Sequence, residues 1–251
     1  CSQDICGKNM IFSINYQNLY NFDKHWAFPV NNLSDQSGNL VTNQQVDFDQ
    51  AGDLYALGFS YAIEVVESFS LGFTLNYWGD TLYKNRWKQS YKIHNESTFS
   101  FGGSSITSIS DSYRTETHDF SGFNANIGAF WQVYQKGEQK LTLGFVLKTP
   151  FRADIKRTTQ INTTSSQDGV ADAPFAYNEQ SHEQMDMPLS FGFGASYQFS
   201  DNFTLSGDMY RTSWDDFVRI DANGNKLSAI SNVPISQSKV QATYQVRLGG
   251  E

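Results

Sequence analysis

The sequence predicts an all-β protein: an antiparallel transmembrane β-barrel of the up-and-down kind, spanning residues 1–251 as one partial barrel domain. Three observations predict it. Runs of roughly ten residues alternate between apolar and small or polar side chains, the period of a strand with one apolar face, and helical periodicity is absent. The connections alternate short (65–69, 135–140, 199–203) and long (22–53, 79–119, 160–186, 219–237), which puts all tight turns on one side of a meander, as in outer-membrane barrels. Finally, the charges deep inside the runs, Glu64, Lys148, Asp208 and Arg247, all share the polar parity. A lipid-facing charge at mid-depth would cost ~2–4 kcal/mol.

The elements follow in chain order. The first run, 9–21, sets Met10, Phe12, Ile14 and Tyr16 against Ile11, Ser13, Asn15 and Gln17, after a turn at Gly7-Lys8-Asn9. A polar stretch leads to 54–65, where Tyr55, Leu57, Phe59, Tyr61 and Ile63 oppose Leu54, Ala56, Gly58, Ser60 and Ala62. A tight turn brings the chain back through 69–78, with Phe69, Leu71, Phe73, Leu75 and Tyr77 on the apolar side. In the long polar stretch that follows, Trp87, Tyr91 and Tyr113 suggest strands projecting beyond a membrane. The runs 120–134 and 140–159 form the next pair. A polar loop leads to the hairpin MPLSFGFGASYQFSDNFTLSGDMYRTSWDDF over 187–217, turning at Ser200-Asp201-Asn202. A turn signal at 221–225 precedes the eighth run, which starts near Ser238.

Bulk properties narrow the function. A mean hydropathy of −0.47 and the lack of any run of about 18 apolar residues exclude helical membrane spans but not a barrel, whose strands need only every second residue apolar. A net charge of −8 without a basic stripe argues against nucleic acid. If the apolar parity faced the interior of a soluble protein, the other parity would carry Lys and Glu freely. Gly, Ser, Asn, Thr and Gln dominate it instead. Cys1 and Cys6 are too few for a disulfide scaffold. Cys1-Ser2 resembles the start of a processed lipoprotein, but the sequence lacks an initial Met and stops within an alternating run, so it reads as an internal piece.

At the 187–217 hairpin, Pro188, the small-aromatic alternation Ser190-Phe191-Gly192-Phe193-Gly194 and the ending Thr212-Ser213-Trp214-Asp215-Asp216-Phe217 resemble the FadL/TodX family of outer-membrane transporters. SFSLGFTLNYW (68–78), LGFVLKTPF (143–151) and YQVRLGGE (244–251) agree with it. The resemblance implies a fourteen-stranded barrel in the bacterial outer membrane, with an N-terminal hatch and C-terminal strands outside this piece. It also implies uptake of long-chain fatty acids or aromatic hydrocarbons. The partners would be those hydrophobic small molecules, outer-membrane lipid and lipopolysaccharide, with the chain a monomer.

Bulky or charged residues on the polar parity, Trp78, Phe130, Lys148, Asp208, Tyr210 and Arg247, are the candidates to line a lumen. Trp78 and Phe130 would line an apolar path or pack against a hatch, while Lys148 or Arg247 would meet a carboxylate or pair with Asp208. His25, His94, His118 and His182 fall in or beside the long loops without ligand spacing, so no metal and no cofactor is expected. No nucleophile-His-acid arrangement stands out, and Asp215 and Asp216 would point to opposite faces of a strand, so no enzyme is expected. A general porin or a surface adhesin is the alternative.

Overall fold

The computed structural model describes residues 2–5 and 8–251; Cys1 and Cys6 lie outside the described residues. Sixteen strands form a single antiparallel sheet: β1 Ser2–Ile5, β2 Lys8–Asn21, β3 Lys24–Ser34, β4 Leu40–Val66, β5 Phe69–Trp78, β6 Arg86–Phe101, β7 Ser104–Lys136, β8 Gln139–Lys148, β9 Phe151–Gln167, β10 Val170–Ala171, β11 Phe175–Met187, β12 Ser190–Ser200, β13 Phe203–Thr212, β14 Val218–Ile220, β15 Lys226–Ser228 and β16 Thr243–Gly250. Among the described residues there is no α-helix.

The sheet has two storeys that share strands. The lower storey is a wall in the order β1-β2-β4-β5-β7-β8-β12-β13-β16. It runs from β1 to β16, and among the described residues those two strands share no register. The upper storey is a projecting sheet ordered β3-β4-β6-β7-β9-β11-β14-β15. β4 and β7 pass through both, and the 27 residues of β4 span ~90 Å at strand rise. β8 continues as β9, and β11 as β12, across breaks at Thr149-Pro150 and Pro188-Leu189, where proline cannot donate to the ladder. Pro29 sits on β3, an edge strand paired only to β4, where it removes no ladder bond the sheet needs.

The long connections predicted at 22–53, 79–119 and 160–186 are therefore mostly strands, and the expected strand 140–159 is two. Their composition hid them. In this storey the outer parity carries His25, Asp47, Asp49, Lys92, His94, Asp111 and Lys156, so the alternation is polar against mixed instead of apolar against small. Trp87 and Tyr91 lie on β6 and Tyr113 on β7 of the projecting sheet. All four histidines sit on strands, and His118 is buried. Asp215 and Asp216 belong to a 3₁₀ turn over Trp214–Asp216 and not to a strand.

In the wall the apolar parity faces outward. Phe59, Phe73, Leu75, Phe123, Ile127, Phe193 and Leu205 are all well exposed, whereas their inward neighbours include Asn76 and Asn124, both nearly buried. Moving up each strand, the outward face changes character abruptly. On β4 it passes from Phe59 and Tyr55 to Asp53 and Asp49, and on β7 from Ile127 and Phe123 to Asp119. Tyr16, Tyr55 and Tyr83 stack at this border (centroids 5.5 and 5.2 Å), and just above it Asp119 accepts from Arg86 at 2.7 Å. Arg211, on the outward parity near the end of β13, lies against the rings of Phe191 and Tyr244.

The storeys are locked where they meet. Leu54, Ala56, Trp78, Trp87, Phe120, Ala153 and Ile155 form the buried core, with Phe22, Phe151, Met185 and Met187 packed against it. A flat single-layer sheet leaves its side chains half exposed, so exposures of 0–8% require the sheet to curl until inward side chains cover one another. Asn85, fully buried, accepts from the Tyr55 N–H (2.5 Å) and donates to the carbonyls of Tyr55 (2.9 Å) and Gly79 (2.8 Å), standing in for a ladder partner where β5 gives way to β6.

Candidate functional site

The six residues predicted to line one lumen fall in three neighbouring recesses, and Tyr210 lines two of them. Trp78, Lys148 and Tyr210 surround an inner cavity of about 660 Å³, together with Asn15, Asn76, Asn126, Ser190 and Thr212. Residues of β2 and β13 line this same space, so the wall curves around it. Trp78 is part of the buried core: its indole N–H donates to Asn124 Oδ1 (2.8 Å), and its ring packs against Tyr20, Phe120 and Phe151. Phe130 is half exposed and lines an adjoining groove with Ile11, Ala62, Gly128 and Val146; this groove shares Ser60, Thr74 and Asn126 with the cavity. Asp208 and Arg247 pair across β13 and β16 at 3.0 Å, both exposed, as the sequence allowed. Asn, Ser and Thr share the lining of this cavity with Tyr20, Phe151, Met187 and Trp214.

Directly above the buried core lies a charged layer that sequence reasoning missed. Arg157 on β9 donates through Nη2 to Glu116 Oε1 on β7 (2.6 Å) and through Nη1 to Glu183 Oε1 on β11 (2.9 Å). Arg219 on β14 sits 3.6 Å from the other Glu183 oxygen, and Arg114 closes on Glu116. His118 stacks flat on Trp87 (4.6 Å, 2°), with Nε2 3.8 Å from Glu116. The layer ties four strands together. A signal for it was present in Arg114-Thr115-Glu116-Thr117-His118, where period-two spacing puts three ionisable groups on one face.

Burial and neighbours set the protonation states. Burial pushes the His118 imidazole down to about 4, reinforced by Arg157 and Arg219 and only partly opposed by Glu116 and Asp119. Burial alone would raise the Glu116 carboxyl, but the hydrogen bond and charge of Arg157, with Arg114 and His118, hold it below its ordinary value. At neutral pH a neutral imidazole thus stands beside the ionised Arg157–Glu116 pair.

Level with Arg114, aromatic side chains line the inner face of the projecting sheet. Trp26, Phe28, Phe48 and Tyr91 stack in a row with centroids 4.7–5.2 Å apart. Phe175 and Tyr177 on β11 lie level with this row, and Leu40, Phe99 and Phe101 lie nearer the hairpin tips, beyond the polar rungs Gln44–Asn95–Ser110 and Thr42–Ser97–Ser108; all five are exposed. On the outer face, His25, Asp47 and Asp49 are the described residues that bring three metal-binding atoms within 4.8 Å of one another; His25 Nδ1 is already 2.8 Å from Asp49.

The comparison with protein families decides the relationship: the BamG model matches residues 28–250, nearly the whole chain. The chain belongs to the BamG family. This overturns the expected FadL/TodX membership, and with it the assignments of fatty-acid or aromatic-hydrocarbon transport and of such molecules as partners. The motifs behind that resemblance have structural explanations here. Glycine-aromatic alternation suits any wall strand with an outward apolar face and small residues inward, and at Gly192 a Cβ would fall 2.7 Å from the Tyr210 ring. Trp214, in the supposed end motif, holds the 3₁₀ turn against the wall by donating to Thr243 Oγ1 (3.0 Å). No curated protein and no solved structure matches the chain. BamG membership places it in association with the outer membrane.

Proposed function

We propose that this BamG-family chain is a non-enzymatic component of the machinery that assembles outer-membrane proteins, with its wall integral to the outer membrane and its projecting sheet outside the bilayer. The family match over 28–250 carries the assembly role. The outward belt supports the integral placement. From Tyr55 to Val65 it covers ten residue steps, which at strand rise and a tilt of about 40° give ~25 Å, the height of the apolar band of a membrane barrel. The stacked tyrosines at its upper border and the charges beyond suit a membrane interface.

The test is purification of the tagged full-length protein from detergent-solubilised outer membranes. Components of the assembly machinery should be recovered with it, and the chain should stay in the membrane pellet through alkaline carbonate washing. Recovery of the chain alone would reject the assembly role, and release by carbonate would reject the integral wall.

A further inference from the structure

We infer that the inner cavity of the wall is a binding site for a small N-acetylated saccharide carrying a single carboxylate. The inference goes beyond the assembly role and does not depend on it. The cavity, about 660 Å³, has the size of a small-molecule pocket. Its lining holds one charged side chain, Lys148, and among the described residues no carboxylate, in a chain whose net charge is −8. Lys148 has no ion-pair or hydrogen-bond partner among the described residues. Two other charges on the inward parity, Asp208 and Arg247, satisfy each other at 3.0 Å. The cavity therefore offers one unanswered ammonium.

A second, independent feature lies deeper. Most polar side chains around the cavity satisfy one another: Asn15 donates to Ser60 Oγ (3.3 Å), Ser60 pairs with Thr74 (2.8 Å), and Asn124, which accepts from the Trp78 indole, donates to Asn126 (3.3 Å). Asn76, between Gly58 and Asn124 in the ladder, is left out. It is only 5% exposed, and its amide, able to donate twice and to accept, makes no side-chain hydrogen bond among the described residues. Leaving so enclosed a group without a partner costs ~1–3 kcal/mol, a cost that a polar occupant removes. Aromatic rings complete the lining, from Tyr20, Trp78, Phe151, Tyr210 and Trp214. Amides and hydroxyls beside aromatic rings suit a sugar ring, which carries hydroxyls at its edge and C–H groups on its faces. An alkyl chain would leave the amides desolvated and unpaired. An acetamido group matches Asn76, since it both donates and accepts. The lone ammonium matches one carboxylate, whereas a phosphate dianion would be left half neutralised.

Calorimetric titration of the purified full-length protein, in a detergent without a sugar headgroup, tests this with two probes that differ by one lactyl carboxylate group: N-acetylmuramic acid and N-acetylglucosamine. The acid should bind about tenfold or more tightly than the neutral sugar, the worth of one charge-assisted hydrogen bond. Lys148→Met should remove that advantage and leave N-acetylglucosamine binding unchanged. Asn76→Leu should weaken both sugars, and Lys136→Met, at the exposed end of β7, should change neither. The heat-modifiable band on gels reports the folding of each variant; if Asn76→Leu does not fold, Lys148→Met, at an exposed position, still decides. No binding of either sugar, as for a cavity that holds water only, would overturn the inference. So would equal binding of the two, an advantage that persists in Lys148→Met, or a folded Asn76→Leu that binds both as the parent does.

Discussion

His118 is held neutral between Trp87 and the Arg–Glu layer, and that makes the fold sensitive to acid. Its folded-state pKa of about 4 lies below the ordinary value of 6.5, so between those values the unfolded chain binds more protons than the folded one. Stability is fully present above pH 6.5 and declines as pH falls toward 4, by up to ~3 kcal/mol for a shift of this size. Glu116, also depressed, adds a further loss below its ordinary range. Thermal melting of the purified protein in detergent at pH 7.5, 5.5 and 4.5 should show a falling midpoint. His118→Phe keeps the stack on Trp87 and removes the titration; its melting should vary less over that window. Arg157 carries the opposite kind of weight. Arg157→Leu leaves Glu116 and Glu183 buried without their shared cation, a loss of ~3–5 kcal/mol, and Arg157→Leu with Glu116→Gln and Glu183→Gln should recover much of it in the same melting assay.

For the strands, the sequence was most legible where one face met an apolar surround. The expected 69–78 run is β5 residue for residue, and the 187–217 hairpin folds as β12 and β13 around its predicted turn. The projecting strands were illegible because neither face is uniform: polar residues cover the outer side, and aromatic, charged and small residues share the inner one. Of the site, the parity rule puts Trp78, Lys148 and Tyr210 beside one cavity but does not bring Arg157, Glu183 and Arg219 together: Glu183 and Arg219 come from stretches expected to be loops, and Arg157, although within the expected 140–159 strand, has its partners on them. Two substitution pairs test the element assignments. Phe73→Arg should lower stability by ~2–4 kcal/mol if that face meets lipid, and Thr74→Arg, one residue on and facing inward, should cost far less; urea unfolding in lipid vesicles measures both. Gly52, with φ +134°, has no room for a Cβ, which would fall 2.3 Å from the Arg86 carbonyl oxygen, whereas one at Gly144 meets nothing within 4 Å. Gly52→Ala should therefore reduce the folded fraction, read as the heat-modifiable band on gels, while Gly144→Ala leaves it near the parent level.

For the whole molecule, the pattern that predicted an all-β chain at the outer membrane was sound, because it follows from strand period and the cost of polar groups in lipid. The transporter assignment failed for the same reason. Those constraints act on every outer-membrane wall, so hairpin motifs that satisfy them do not discriminate between families. What marks this chain is the storey above the wall, with a buried core at its base and a charged layer that ties four strands. The most direct measurement of the assembly role is the outer-membrane proteome after controlled depletion of this chain. The account predicts that β-barrel proteins of many families fall together, with unfolded precursors accumulating outside the membrane fraction. Unchanged levels of those barrels would contradict it.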